Sequence, residues 1–273
     1  MTVQIVKEYN FPVSRACKLT KLPRSQYYYQ SKKDDTEVIE VVQDLAFKHP
    51  HYGFRKLFSY TRRAGKLWNH KKVYRVYKLL KLNHKRKGKR RLPVRIKQPL
   101  ATQTQVNNIW SMDFMSDSVV SGRRFRTFNV MDDCSREALV IEIDTSLSTK
   151  RVIRALDSII ANRGKPAILR CDNGPEFTSK ELEKWCDDNT IILQFIQPGR
   201  PMQNGYIERF NRLYREAVLD AYLFFSLEDV RRLTLEWMEE YNCNRPHESL
   251  ENLTPYEWKE KTMINQLSLL LTV

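Results

Sequence analysis

Three acidic side chains stand where the local pattern expects structural elements to begin or end. Asp113 interrupts an apolar run, Trp110-Ser111-Met112-Asp113-Phe114. Asp172 follows the apolar stretch Ala167 to Cys171 and leads into a sharp turn, Asn173-Gly174-Pro175. Glu208 lies near the start of a helical stretch, just after Asn204-Gly205. An aspartate inside an apolar strand is costly to bury unless it is paired or binds a cation. Several carboxylates brought together repel, so such a cluster is stable chiefly with a hard, oxygen-seeking divalent ion. Two such ions, roughly 3.5–4 Å apart, can activate an attacking oxygen and stabilise the leaving oxygen of an in-line phosphoryl displacement. The 35 residues between Asp172 and Glu208 carry little weight alone. With 32 acids in 273 positions, about three or four acidic pairs share any given separation by chance. The local contexts make these three candidates.

The elements that must position them follow from periodicity. Ile109 to Ser116, Phe125 to Met131 and Ala138 to Ile143 are short, apolar-rich and separated by turn residues, which predicts an antiparallel meander. A helix is expected over Thr149 to Asn162, closed by Gly164 and Pro166. Ala167 to Cys171 reads as a buried strand, Ser179 to Asn189 as a helix and Ile191 to Ile196 as a strand. A long helix, Gln203 to Leu219, then two more, Leu227 to Tyr241 and Pro255 to Lys261, complete the chain. The order βββαβαβα implies a mixed α/β sheet with helices packed on it.

Upstream, the pattern is helical and basic. Ser14 to Leu19, Arg24 to Gln30, Thr36 to Lys48, Phe54 to Ala64 and His70 to Leu82 are the expected helices. The last has Asn69 as its N-cap and an apolar face of Val73, Val76, Tyr77 and Leu80. Lys71, Lys72, Arg75 and Lys78 lie largely around the other face. Residues 1–105 hold 26 Lys and Arg against 6 Asp and Glu, a net charge of +20, while the remainder holds 21 against 26, or −5. A basic helix–turn–helix-like module on a mildly acidic body suits contact with DNA phosphates, although a solvated basic surface would read the same way. The run Lys85, Arg86, Lys87, Lys89, Arg90 and Arg91 has no apolar face and reads as an exposed linker along a phosphate backbone. Four parts are expected: a basic helical region over 1–83, a linker over 84–105, a catalytic core over 106–221 and a helical C-terminal extension over 222–273.

No apolar run approaches the roughly 18 residues of a membrane span, and the first residues lack the regions of a secretory signal. The five cysteines form no C-x-x-C, so a reduced, cytoplasmic protein is the expectation, nucleoid-associated if its partner is DNA.

Trp110-Ser-Met-Asp113, Asp172-Asn-Gly-Pro-Glu-Phe177 and the stretch from Gln197 through Glu208 to Asn211 resemble the D, D-35-E core of retroviral integrases and bacterial transposases. The wording is closest to the OrfB-type transposases of insertion-sequence family three. Asn244-Arg-Pro-His247, Leu253-Thr-Pro-Tyr256, His49 to Arg55 and Asn69 to Arg75 extend the resemblance over nearly the whole chain. It implies a ribonuclease H-like core and two Mg²⁺ (or Mn²⁺) ions held by Asp113, Asp172 and Glu208. It also implies strand cleavage by water at insertion-sequence terminal repeats, then transfer to target DNA with a 3′-hydroxyl as nucleophile. A homo-oligomer and an OrfA partner or fusion are further implications, with no membrane partner. Retroviral relatives carry an H-H-C-C zinc module, whereas the histidines and cysteines here have no such spacing, so no zinc is expected.

Around this core, several residues have two readings. Arg212 and Arg215 share a helix stripe with Glu208 and either grip phosphates or stabilise the helix. Gln203 and Asn204 either touch the scissile DNA or cap a helix, and Asn173 either binds a phosphate or satisfies its turn. Two other functions stay open: a non-catalytic DNA-binding regulator or assembly subunit, and a ribonuclease H-like nuclease that hydrolyses without joining.

Overall fold

The computed structural model describes residues 1–30, 34–83, 105–197 and 201–271. The linker residues 84–104, with Lys85, Arg86, Lys87, Lys89, Arg90 and Arg91, lie outside the described residues.

Alternation of side chains along three strands explains how the sheet forms. In β1 (Ile109–Ser118), β2 (Arg124–Asp132) and β3 (Ala138–Asp144), successive residues point to opposite faces. Trp110, Met112, Phe128 and Val130 fill one face, and Met115, Phe125, Met131, Ile141 and Ile143 fill the other. β1 pairs antiparallel with β2, and β2 with β3, as the meander requires. Helix α7 (Thr149–Arg163) carries the chain across the sheet, so that β4 (Ile168–Cys171) lies parallel to β1 and β5 (Ile192–Phe195) parallel to β4. The spatial order is β3-β2-β1-β4-β5, a five-stranded mixed sheet of the ribonuclease H-like kind. Upstream of the sheet, the described residues form six helices: α1 (Thr2–Glu8), α2 (Val13–Thr20), α3 (Arg24–Tyr27), α4 (Thr36–Lys48), α5 (Phe54–Arg63) and α6 (His70–Leu79).

Both sheet faces are covered. α7 and α8 (Lys180–Asn189) bury Val152, Leu156, Leu182 and Cys186 against the first face. α9 (Gly205–Tyr214) and α10 (Leu227–Glu239) bring Ile207, Phe210, Tyr214 and Val230 to the second. The chain ends in α11 (Pro255–Leu271). Among the described residues, no helix is long and apolar enough to cross a membrane.

In the upstream part, Val38 and Val42 of α4, Leu57 of α5 and Val73, Val76 and Tyr77 of α6 form a small core of their own. Asn69 caps α6, its side chain accepting from the Lys71 backbone N–H at 2.8 Å. This helical unit is tied to the far end of the chain. The Tyr60 hydroxyl donates to Glu240 at 2.6 Å, Arg63 makes two bonds to the Glu257 carboxylate at 2.9 and 2.6 Å, and Lys56 donates to the Pro246 carbonyl.

The structure departs from the sequence-based expectations at several ends. α1 was not foreseen, because seven residues lack the length for a clear period. α3 stops at Tyr27 instead of Gln30, and α6 stops at Leu79 instead of Leu82, where Lys81 turns left-handed at φ 55°. The helix expected from Gln203 begins at Gly205, since Pro201–Asn204 forms a 3-10 turn. It also widens into a π-turn at Arg215–Leu219, beside a buried bond of 2.7 Å between the Tyr214 and Thr234 hydroxyls.

Candidate active site

β1 places Asp113 on the face that α9 covers, because its neighbours Met112 and Phe114 belong to the opposite face. The Asp113 carboxylate accepts from the Phe114 backbone N–H at 2.8 Å and from the Asn211 side chain of α9 at 2.7 Å. Asn211 in turn accepts from Asn129 at 2.7 Å, and Asn129 is the cross-strand partner of Asp113. Two buried amides thus lock the aspartate to its strand neighbour and to its covering helix.

The parallel ladder between β1 and β4 pairs Ser111 with Arg170. Asp172 follows β4 directly, two residues beyond Arg170 as Asp113 is two beyond Ser111, and its charge acts on Asp113. Asp172 then turns over Gly174, whose N–H donates to its carboxylate at 3.0 Å. A Cβ on Gly174 would sit 3.0 Å from that same oxygen, so a larger residue there would push the Asp172 carboxylate aside by a few tenths of an ångström. Phe177 anchors the turn in the core with its ring stacked on Phe114 at 4.9 Å. Glu208 is exposed in the first turn of α9, three residues before Asn211 and so about 4.5 Å back along the same helix face.

The electrostatics tie the three acids together. Burial pushes the Asp113 carboxyl up to about 6, and the negative charges of Asp172 and Glu208 push in the same direction. The bonds from Phe114 and Asn211 oppose them only in part. Among the described residues, no three His, Cys, Asp or Glu side chains are drawn tightly enough to clasp an ion as they stand. Asp113 and Asp172 instead accept from protein N–H groups.

A stability prediction follows. The folded value of Asp113, about 6, lies above its ordinary 3.8, so ionisation costs stability as pH rises between those values and the cost persists above them. An asparagine there escapes that cost but forfeits one of the two hydrogen bonds, leaving a net gain of about 1–2 kcal/mol at neutral pH. Asp113→Asn should therefore melt roughly 3–6 °C higher than the wild type in EDTA near pH 7.5 and show no gain near pH 4. A variant melting at or below the wild type at both pH values would show that the carboxylate is not strained.

The other candidate residues are distributed unevenly. The Asn173 side chain donates to the Ile196 carbonyl at 3.2 Å, which satisfies its turn. Gln203 accepts from the Gln197 N–H at 2.8 Å. Asn204 is only 3% exposed, and its side chain donates to the Met112 carbonyl of β1 at 3.5 Å. Arg212 reaches Glu216 at 2.8 Å rather than Glu208, and Arg215 reaches Asp117 of β1 at 3.3 Å, which ties the helical segment to the sheet. On α6, Lys72 and Arg75 lean on Asp35 at 3.9 and 2.7 Å, whereas Lys71 is exposed and Lys78 lies over the Tyr74 ring at 4.7 Å. The sequence reading missed Asn129 and Asn211. Helical spacing from Glu208 points to Asn211, and a lone amide inside the apolar strand Phe128-Asn129-Val130 points to the other.

The chain matches the integrase core domain family over residues 103–201 and a second integrase core domain model over 189–255, with an HTH-like domain over 33–90. It is 38% identical over 259 residues to the 31.7 kDa protein of insertion element IS407 from Burkholderia multivorans, covering 94% of each chain. It is 23% identical to the putative transposase InsK of insertion sequence element IS150 from Escherichia coli, covering 92% of this chain and 95% of that one. The HTLV-2 integrase catalytic core is 20% identical, with a TM-score of 0.43 over 55% of this chain and 94% of that one. On the strength of the IS407 relative and the two domain types, the chain belongs to the OrfB-type transposases of insertion-sequence family three, with an HTH-like module and an integrase core.

Proposed function

We propose that the protein is a metal-dependent DNA transposase that cleaves the ends of its insertion sequence and joins them to target DNA. The observation that carries this reading is the shared electrostatic neighbourhood of Asp113, Asp172 and Glu208. Its oxygen-only donor set fits hard divalent ions of the Mg²⁺ or Mn²⁺ class and offers nothing to a soft one. Asp113, Asp172 and Glu208 would hold them. When bound, two such ions supply Lewis acidity to the attacking and leaving oxygens of an in-line displacement at phosphorus.

The rest is the work of the chain. Asn211 and Phe114 N–H orient the Asp113 oxygens, and Gly174 N–H orients those of Asp172. In the first step, the oxygen of water forms a bond to a phosphodiester phosphorus, the P–O3′ bond breaks and the departing 3′ oxygen takes up a proton. In the second, that 3′-hydroxyl loses its proton as its oxygen bonds to a target phosphorus, the target P–O3′ bond breaks, and the departing 3′ oxygen takes up a proton. The basic helical region over 1–83, with Lys71 and Lys78, holds DNA in this reading, and the linker over 84–105 leads it to the core over 106–221. Two ends must be joined, so the active form is at least a dimer; an OrfA segment is its expected partner, and the bacterial cytoplasm its site of action.

The test is metal-dependent nicking and joining of a labelled duplex that carries the terminal repeat. Joined products support the transposase. Nicking without joining would favour a hydrolytic nuclease, and binding with neither would leave a regulator or assembly subunit.

A further inference from the structure

On the opposite flank of α9 from Asn211, a cleft of about 390 Å³ opens between α5, the turn joining β2 to β3, and the segment after α10. Four cations line it: Lys56, Arg136, Arg209 and Arg245. Among the described residues, none of the four has a carboxylate partner within ion-pair distance. Arg136 lies over the Tyr206 ring at 3.3 Å and Arg245 over the Tyr52 ring at 4.7 Å, contacts that orient a guanidinium without neutralising it. Arg245 is only 8% exposed, and its Nε has no hydrogen-bond acceptor. His247, 9% exposed, likewise leaves Nε2 without a partner. The acid on the rim, Glu248, is exposed and faces Arg55 at 3.5 Å.

Such a collection is unfavourable as it stands. Burial, then Arg245 and Arg209, push the Lys56 ammonium down to about 8, with Glu248 only partly opposing. Burial, then Lys56 and Arg245, hold the His247 imidazole neutral at about 3. An oxygen-rich anion entering the cleft would relieve the repulsion and satisfy the orphaned buried N–H group at once. Guanidinium forks match phosphate oxygens, and the Tyr206 and Tyr241 rings offer a wall for a sugar.

We propose that this cleft binds a backbone phosphate of duplex DNA, clamping one strand between the HTH-like module, the core and the C-terminal segment. The inference rests on the reading of the chain as a DNA-joining enzyme and adds a site outside the acidic cluster. Arg209 follows Glu208 directly, so the helix that presents the acid to one side presents the phosphate anchor about 100° away. A strand held there has a fixed lateral offset from the three carboxylates.

The experiment uses the full chain and a labelled duplex, with affinity measured across a salt series. Arg209→Gln sits at an exposed position and keeps the fold, as an unchanged melting curve would confirm. It should weaken binding about tenfold on every duplex sequence and lower the salt slope by about one. Lys56→Gln added to it should lower the slope by about one more. Wild-type affinity and slope in the double variant would overturn the phosphate site. If the wild type nicks and joins DNA while the double variant binds normally, the clamp fails and the transposase reading stands. If the double variant loses binding while the wild type shows no metal-dependent chemistry, the clamp stands and the enzyme reading fails.

Discussion

Asp172→Asn in the full chain is expected to slow metal-dependent nicking and joining by at least about 10³-fold, or about 4 kcal/mol of transition-state stabilisation. The amide keeps the size of the side chain, and its oxygen still accepts from Gly174 N–H, so the turn survives. What disappears is one of the negative charges that would hold a divalent ion next to Asp113. Glu208→Gln should match it, because this exposed carboxylate in the first turn of α9 has no hydrogen-bond or ion-pair partner among the described residues whose loss would confuse the result. The two substitutions together should cost little more than either alone, since each disables the same unit. Affinity for duplex DNA should stay within about twofold at fixed salt, because phosphate contacts lie elsewhere. Rates within about tenfold of the wild type in either variant would remove that residue from the site.

Phe177→Ala should destabilise the chain by about 3–5 kcal/mol, lowering its melting temperature by roughly 8–15 °C. Phe177 is fully buried, with its ring 4.9 Å from Phe114 and 6.1 Å from Phe128. Removing it opens a cavity under the turn that carries Asp172, so activity should fall even at temperatures where the variant is folded. Phe177→Leu should recover more than half of the stability, because it refills most of the volume. A melting temperature for Phe177→Ala within about 2 °C of the wild type would mean that the turn is not anchored in the core.

The parts of the fold that follow from local periodicity were legible in the sequence. Alternation in Trp110 to Met115 announces a strand with two faces, and that same alternation sends Asp113 to the side opposite Met112. The turn at Asn173-Gly174 and the cap at Asn69 are short-range chemistry, and both are present. The Asn129–Asn211–Asp113 relay was not legible, because its hydrogen bonds span 82 and 98 residues and depend on how α9 lies on the sheet. The π-turn after Tyr214 is hidden for the same reason, since a local helical pattern cannot register a hydroxyl bond to Thr234. Side-chain partners were not legible either: Arg212 of α9 and Arg215 just beyond it find acids of their own, whereas Arg209 has none among the described residues.

The bonds from Lys56, Tyr60 and Arg63 to the distal segment join residues 180–194 positions apart. Their acceptors leave the ribosome 180–194 residues after their donors, long after the small core of α4, α5 and α6 has had time to form. The basic unit therefore remains tethered but unclasped until that distal segment has been made, and its orientation against the sheet is set only after its own core.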